Sequence, residues 1–249
     1  MVGRSADGAP LDGRTIFEIG SVTKTFTSLL LADGVVRGDW SLSTLLRDLL
    51  PAGTPVPSSR GAEITLEHLA THVSGLPNSP VPVAAGTAEM LRGRDPYAHL
   101  TEDGLLAALG RAQLKRTSGT GRIHYSDLGM GVLGVALGHA AGRSYVDLVE
   151  ERICVPLGLV DTTVDSHLSE EQRSRLAAGH RGRGKPASAR WRGSGQPGHR
   201  RQDHRRWGQA VGLRGRHHPR RPRRRLGGHR PRPHPPVPHQ GPARRTGPA

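Results

Sequence analysis

A serine and a lysine separated by two residues form the first pattern in this chain that could do chemistry. Ser21 and Lys24 begin a segment whose apolar residues recur at helical spacing, which predicts one helix over residues 21–37. Residues three apart share a helix face, so the lysine amine is expected one turn above the serine hydroxyl. An amine there can take the hydroxyl proton and make the serine a nucleophile. The positive end of the helix favours an oxyanion. Alone, the same spacing is also typical of an N-cap serine followed by a solvated lysine.

A second pattern of reactive side chains follows about 100 residues later. Tyr125, Ser126 and Asp127 lie where a glycine-containing turn meets an apolar helix predicted over residues 127–141. A tyrosine hydroxyl at such a junction can exchange a proton with a reacting group. The alternative is a core tyrosine whose hydroxyl has a structural hydrogen-bond partner.

The elements expected to position these residues are mostly helices. The helix at Ser21 is predicted to bury one apolar face, formed by Phe26, Leu29, Leu30, Val35 and Val36. Residues 77–100, rich in proline and glycine, are predicted to be irregular. A short strand is predicted at residues 15–19, and further helices at residues 42–50, 64–72, 101–111, 145–153 and 168–178.

Taken together, these patterns resemble the serine β-lactamase and penicillin-binding-protein superfamily, specifically its class C-like branch. Residues 17–27 look like the nucleophile motif of that branch, and residues 64–77 are similar to its helix ending in Thr-Ser-Gly-Leu-Pro. Tyr125 and Asp127 fall where the branch has Tyr-x-Asn. The resemblance covers roughly residues 10–180.

The resemblance implies roles for four residues and a reaction class. Ser21 would be the acylated nucleophile, and Lys24 would activate it and share its proton. Tyr125 would be the general base or acid for the leaving group and for deacylation. Asp127, in place of the family's Asn, would bind Lys24 and substrate, although an ionised carboxylate only accepts hydrogen bonds. The implied enzyme is a serine hydrolase that acts through an acyl-enzyme on an amide, β-lactam or ester, with no cofactor and no metal. The substrate would be a small or peptide-like acyl compound.

The resemblance also implies an α+β fold of the β-lactamase/DD-peptidase type, of which this chain is expected to retain mainly the helical part. The family has strands before the serine motif, and a Lys-Thr-Gly or His-x-Gly motif on a late strand. Well after residue 180, where that motif is expected, the only formal match is His239-Gln240-Gly241, which lies among prolines that prevent a strand ladder. We therefore expect a chain that is truncated at its N-terminus and frameshifted or divergent after about residue 180.

Charge divides the 249-residue chain at the same point. Residues 1–180 carry 16 Lys and Arg against 20 Asp and Glu, a net charge of −4. Residues 181–249 carry 20 basic residues against one acid, a net charge of +19. The expected domains are a partial hydrolase domain over residues 1–180 and a disordered Arg/Pro/Gly/His-rich tail over residues 181–249.

These features leave alternative functions open. The chain could be a catalytically inactive fragment of such an enzyme, or a protein that binds nucleic acid non-specifically through its basic tail.

The glycines from Gly129 to Gly134 imitate a dinucleotide-binding motif but are better explained by helix packing. His68 and His72 have a spacing that can hold zinc, yet no third ligand stands out. The single cysteine, Cys154, is expected to be a buried free thiol.

The sequence contains no apolar run long enough for a membrane span. No signal peptide precedes Ser21, so the chain as written is expected in the cytoplasm, although an intact homologue could be exported.

Overall fold

The described part of the chain is mainly helical, as the sequence predicts. The computed structural model describes residues 10–92, 95–177, 180–181, 185–186 and 210–211. Within these residues the helices are α1 (Thr23–Arg37), α2 (Leu46–Leu49), α3 (Leu66–Ala70), α4 (Val83–Leu91), α5 (Glu102–Arg111), α6 (Asp127–Ala141), α7 (Tyr145–Val149), α8 (Val155–Leu157) and α9 (Glu170–Ser174). Three further helical turns are Gly20–Val22 and Asp165–His167, both 3₁₀, and the π-helical turn Glu150–Cys154. The strands are β1 (Thr163–Val164), β2 (His180–Arg181), β3 (Lys185–Pro186) and β4 (Ala210–Val211).

Strand pairing in the described residues is limited to short antiparallel pairs and isolated bridges. β1 pairs with β4, and β2 pairs with β3. The strand predicted at residues 15–19 is a single parallel bridge between Ile16 and Leu176. The tail predicted over residues 181–249 lies outside the described residues apart from those of β2, β3 and β4, so its predicted disorder and the boundary at residue 180 stay predictions.

Helix α6 lies at the centre of the hydrophobic core. Its residues from Leu128 to Gly138 are all buried, and α1, α2, α3, α5 and α7 pack around it. Glycines make this close packing possible, because a Cβ at Gly131 would lie 3.3 Å from the Leu105 side chain. The glycine pattern that imitates a dinucleotide-binding motif is therefore a packing surface inside a helix.

Helix α1 packs against α6 through a face that overlaps the predicted one, since Phe26 and Leu30 are buried and Val35 packs against the core. Its buried residues are Phe26, Thr27, Leu30, Leu31 and Gly34. The prediction was wrong for Leu29 and Val36, which are 46% and 88% exposed.

The indole of Trp40 helps to explain why Gly34 and Leu31 are also buried on α1. It closes over Gly34, where a Cβ would lie 2.0 Å from an indole carbon. Its Nε1 donates a hydrogen bond to the carbonyl of Leu31 at 3.0 Å. The buried side of α1 is thus set by an aromatic ring from the following turn.

Several helix bounds differ from the prediction for reasons visible in the backbone. Residues 42–50 form only the short α2, because Leu45 bridges to Thr65 and the N–H of Leu46 donates to the carbonyl of Ile64 at 2.9 Å. The irregular segment predicted over residues 77–100 contains α4, which was missed. By contrast, α5 and α6 begin where capping predicts, because Thr101 and Ser126 accept N–H bonds from Gly104 and Gly129.

Candidate active site

The N-terminal end of α1 places Ser21 and Lys24 together. Gly20 has a φ of +50°, which turns the chain into the 3₁₀ turn that precedes α1. Ser21 is exposed in this turn, and Lys24 lies in the first turn of α1. The Lys24 Nζ donates to Ser21 Oγ over 3.2 Å, which is the contact that the spacing predicts.

The N-terminal end of α6 brings Tyr125 and Asp127 to the same place. Ser126 caps α6, and its hydroxyl also donates to the carbonyl of Pro77 at 2.5 Å. The backbone N–H of Asp127 donates to the carbonyl of Asn78 at 2.7 Å. These bonds hold the start of α6 against the loop after α3. As a result, the side chains of Tyr125 and Asp127 face Ser21 and Lys24.

The loop after α3 is itself held in place at Gly75. This residue has a φ of +78°, and a Cβ there would lie 2.4 Å from the carbonyl oxygen of Arg116. The N–H of Lys115 donates to the Gly75 carbonyl at 2.9 Å, and Ser118 Oγ donates to the Ser74 carbonyl at 3.0 Å. The Ser-Gly-Leu-Pro motif noted in the sequence therefore shapes the site without contributing a reactive group.

All four residues singled out from the sequence meet at one point. The hydroxyl of Tyr125 lies 2.8 Å from Ser21 Oγ. Lys24 Nζ lies 2.6 Å from an oxygen of Asp127 and 4.8 Å from the centroid of the Tyr125 ring. In the described residues, the hydrogen-bond partners of Ser21 Oγ are Lys24 and Tyr125. The cluster thus joins a serine hydroxyl to an amine, a phenol and a carboxylate.

The lysine in this cluster is held in its charged form. Burial lowers the pKa of Lys24, but hydrogen bonds to Asp127 and Tyr125 outweigh that effect, and the net pKa is raised above its usual value of 10.5. At neutral pH the side chain is therefore an ammonium ion that donates to both Ser21 and Asp127. This charge favours an alkoxide at Ser21 but prevents the resting lysine from accepting a proton.

The Asp127→Asn variant tests the origin of this raised pKa. Without the carboxylate the ammonium loses its main stabilising partner, so we expect the Lys24 pKa to fall. An NMR titration that follows the Cε resonance of Lys24 measures the change without any assumption about activity. Asp103→Asn, an exposed carboxylate in the first turn of α5, is the matched control. Superimposable titration curves for Asp127→Asn and the unaltered chain would contradict the assignment.

Two neighbours of the site were not identified from the sequence. His72 stacks on Tyr125 with 4.7 Å between ring centroids. The Tyr97 hydroxyl lies 3.3 Å from Ser79 Oγ. The pKa of Tyr97 is raised, first by burial and to a smaller extent by the negative charge of Asp127. The signal for His72 was its place just before the Ser-Gly-Leu-Pro motif, whereas Tyr97 lies in a segment with no recognisable periodicity.

The structure does not support a metal site at the histidine pair. His68 belongs to α3, but His72 lies beyond the end of that helix with a φ of +60°, so the predicted helix over residues 64–72 is too long and the two rings do not share a helix face. Among the described residues no group of three or more potential metal ligands occurs. In the same part of the chain, no helix is both long and apolar enough to span a bilayer. The formal third motif at His239 lies outside the described residues.

The sequence is similar to that of proteins with known activities. The sequence model of the family described as Beta-lactamase matches residues 2–235. The chain is 35% identical over 168 residues to the D-alanyl-D-alanine-carboxypeptidase/endopeptidase AmpH of Escherichia coli strain K12, a match that covers 68% of this chain and 41% of the relative. It is 31% identical over 158 residues to esterase EstB of Burkholderia gladioli, covering 62% of this chain and 40% of the relative.

The fold has counterparts among solved structures. A β-lactamase/D-alanine carboxypeptidase from Yersinia pestis, solved in complex with citrate, superposes with a TM-score of 0.61 at 28% sequence identity. The superposition covers 81% of this chain and 51% of that chain. This chain thus spans about half of that structure's length and about two fifths of the length of the relatives named above.

Proposed function

This chain belongs to the beta-lactamase family of serine hydrolases, and on that premise we propose that Ser21 forms an acyl-enzyme with an amide, β-lactam or ester. One observation carries the proposal: Ser21 Oγ lies within hydrogen-bond distance of both Lys24 and Tyr125. A nucleophile, a proton acceptor and a group that orients the acceptor are the parts that covalent catalysis at a serine needs. Asp127 supplies the third part by its contact with Lys24.

The first step is attack of Ser21 Oγ on the substrate carbonyl carbon. Lys24 is charged in the resting site, so it must give a proton to Asp127, 2.6 Å away, before it can accept the one from Ser21. The resulting oxyanion lies at the N-terminal end of α1, where the helix carries a partial positive charge. The relay leaves the proton on the carboxyl group and keeps Lys24 charged beside the tetrahedral intermediate.

The second step expels the leaving group and then restores the serine. Tyr125 gives its hydroxyl proton to the leaving nitrogen or oxygen as the carbon–heteroatom bond breaks. The phenolate then takes a proton from water, and the hydroxide attacks the acyl carbon. Ser21 leaves as the alkoxide and recovers its proton from the Lys24–Asp127 pair.

The proposed substrate class follows from the relatives and from Asp127. The names of the relatives describe a D-alanyl-D-alanine carboxypeptidase/endopeptidase and an esterase, so amides and esters of acyl groups are the candidates. Because an ionised carboxylate only accepts hydrogen bonds, we infer that the substrate presents an N–H or O–H donor towards Asp127. The whole protein's substrate is part of this proposal, because the chain spans 41% of its first-named relative.

Covalent labelling tests the proposal. We expect a fluorophosphonate to add one equivalent to the native chain, with loss of fluoride, and to add none after unfolding in urea. A penicillin present beforehand should slow the labelling, and intact-mass spectrometry measures both effects. A helical chain, shown by circular dichroism, that gains no mass would contradict the proposal and favour an inactive member of the family.

A further inference from the structure

The segment that carries Tyr125 is held by His72 from both sides. The backbone N–H of His124 donates to the His72 carbonyl at 2.7 Å, and the N–H of Ser126 donates to His72 Nδ1 at 3.3 Å. The residues before and after Tyr125 are thus both bonded to one residue, which also stacks on the Tyr125 ring at 4.7 Å with 35° between the ring planes.

The backbone of His72 adopts a conformation that this arrangement requires. Its φ of +60° is in the left-handed region, which histidine visits more often than most residues but which still carries strain. In that conformation the carbonyl and the imidazole both face the segment 124–126. A helical or extended His72 would turn one of the two acceptors away.

The hydrogen bond to Nδ1 also fixes the proton on the imidazole. Because Nδ1 accepts the Ser126 N–H, the neutral ring must carry its proton on Nε2. Burial and the nearby Lys24 ammonium lower the pKa of His72 more than Asp127 raises it, so the ring is neutral at neutral pH. The acceptor is therefore available under the conditions in which the serine would react.

We propose that His72 is the positioning residue for Tyr125, and that it holds the phenol at hydrogen-bond distance from Ser21 through its two backbone contacts and its ring. This inference rests on the proposed function, because the phenol has to be in place for Ser21 to react. Small displacements of a reacting group can cost about 100-fold in rate, so the effect is expected in the acylation rate.

Two substitutions separate the imidazole from the backbone. His72→Gly keeps the left-handed backbone and removes the ring and the acceptor, whereas His72→Asn tolerates that backbone and places Oδ1 where Nδ1 lies. We expect His72→Gly to lower the second-order rate of fluorophosphonate labelling about 10- to 100-fold. His72→Asn should recover most of that loss, which a purely structural role of the ring would not allow.

A second measurement reads the same contact without activity. In the unaltered chain, long-range ¹⁵N–¹H NMR spectra should show His72 as the neutral tautomer with its proton on Nε2. A proton on Nδ1, or labelling of His72→Gly at the unaltered rate, would overturn the inference. If the unaltered chain is not labelled at all, the proposed function fails and the role in acylation with it, while the NMR spectrum still decides whether His72 holds the segment.

Discussion

Replacing Ser21 with alanine is expected to abolish covalent labelling by a fluorophosphonate. The hydroxyl of Ser21 is the atom that both Lys24 and Tyr125 contact, so its removal leaves the cluster without the proposed nucleophile. The loss should be complete within detection, because no neighbouring serine in the described residues has an amine and a phenol as its partners. Gel fluorescence after a fixed incubation, with the urea midpoint as the check on folding, measures the result.

Ser43→Ala is the matched control for that experiment. Ser43 is an exposed serine whose hydroxyl contacts that of Ser41 at 3.0 Å, away from the cluster. We expect the control to be labelled at the unaltered rate. Labelling that persists in Ser21→Ala would show that another residue is the nucleophile.

The second large effect is expected at Lys24. Lys24→Met keeps much of the apolar stem and removes the amine, so Ser21 loses the group proposed to share its proton and the cluster loses the positive charge of Lys24. We expect the labelling rate to fall about 10²- to 10⁴-fold, the usual contribution of a positioned acid or base. Time courses of labelling, quenched at set times and measured at several probe concentrations, give the second-order rate constant.

The loss of charge at Lys24 has a side effect that needs its own control. Removing the amine leaves the Asp127 carboxylate, 2.6 Å away in the unaltered chain, without its partner. The double variant Lys24→Met with Asp127→Asn removes that unpaired charge, and we expect it to remain slow. Lys115→Met, which alters an exposed lysine outside the cluster, should label normally. A double variant that regains the unaltered rate would assign the defect to the stranded carboxylate and contradict the role of Lys24.

The local sequence predicted the parts of this structure that depend on short-range rules. Helix α6 runs from Asp127 to Ala141 as predicted, because Ser126 caps its start and Gly142, with a φ of +61°, ends it. The contact of Lys24 with Ser21 also follows from helical spacing alone. The pairing of these residues with Tyr125, over 100 positions away, was inferred from the order of family motifs and could not be read from periodicity.

What the sequence missed depends on tertiary contacts. The buried side of α1 was only partly predicted: Trp40 closes over Gly34, and no local pattern reveals which side an aromatic ring from the next turn will cover. The sequence predicts His72 as the end of a helix, but its backbone is left-handed. That conformation is set by hydrogen bonds to residues 124 and 126, which lie far away in the sequence. Such contacts join residues that are far apart in the sequence, so local spacing cannot predict them.

The central claim is that Ser21 is the residue acylated in this chain, and the position of the covalent adduct tests it most directly. Trypsin should release residues 15–24 as one peptide, in which Ser21 is the only serine. After labelling with a fluorophosphonate, tandem mass spectrometry of this peptide should place the added mass on Ser21. An adduct on any other residue, or an unmodified peptide from a labelled and folded chain, would contradict the account.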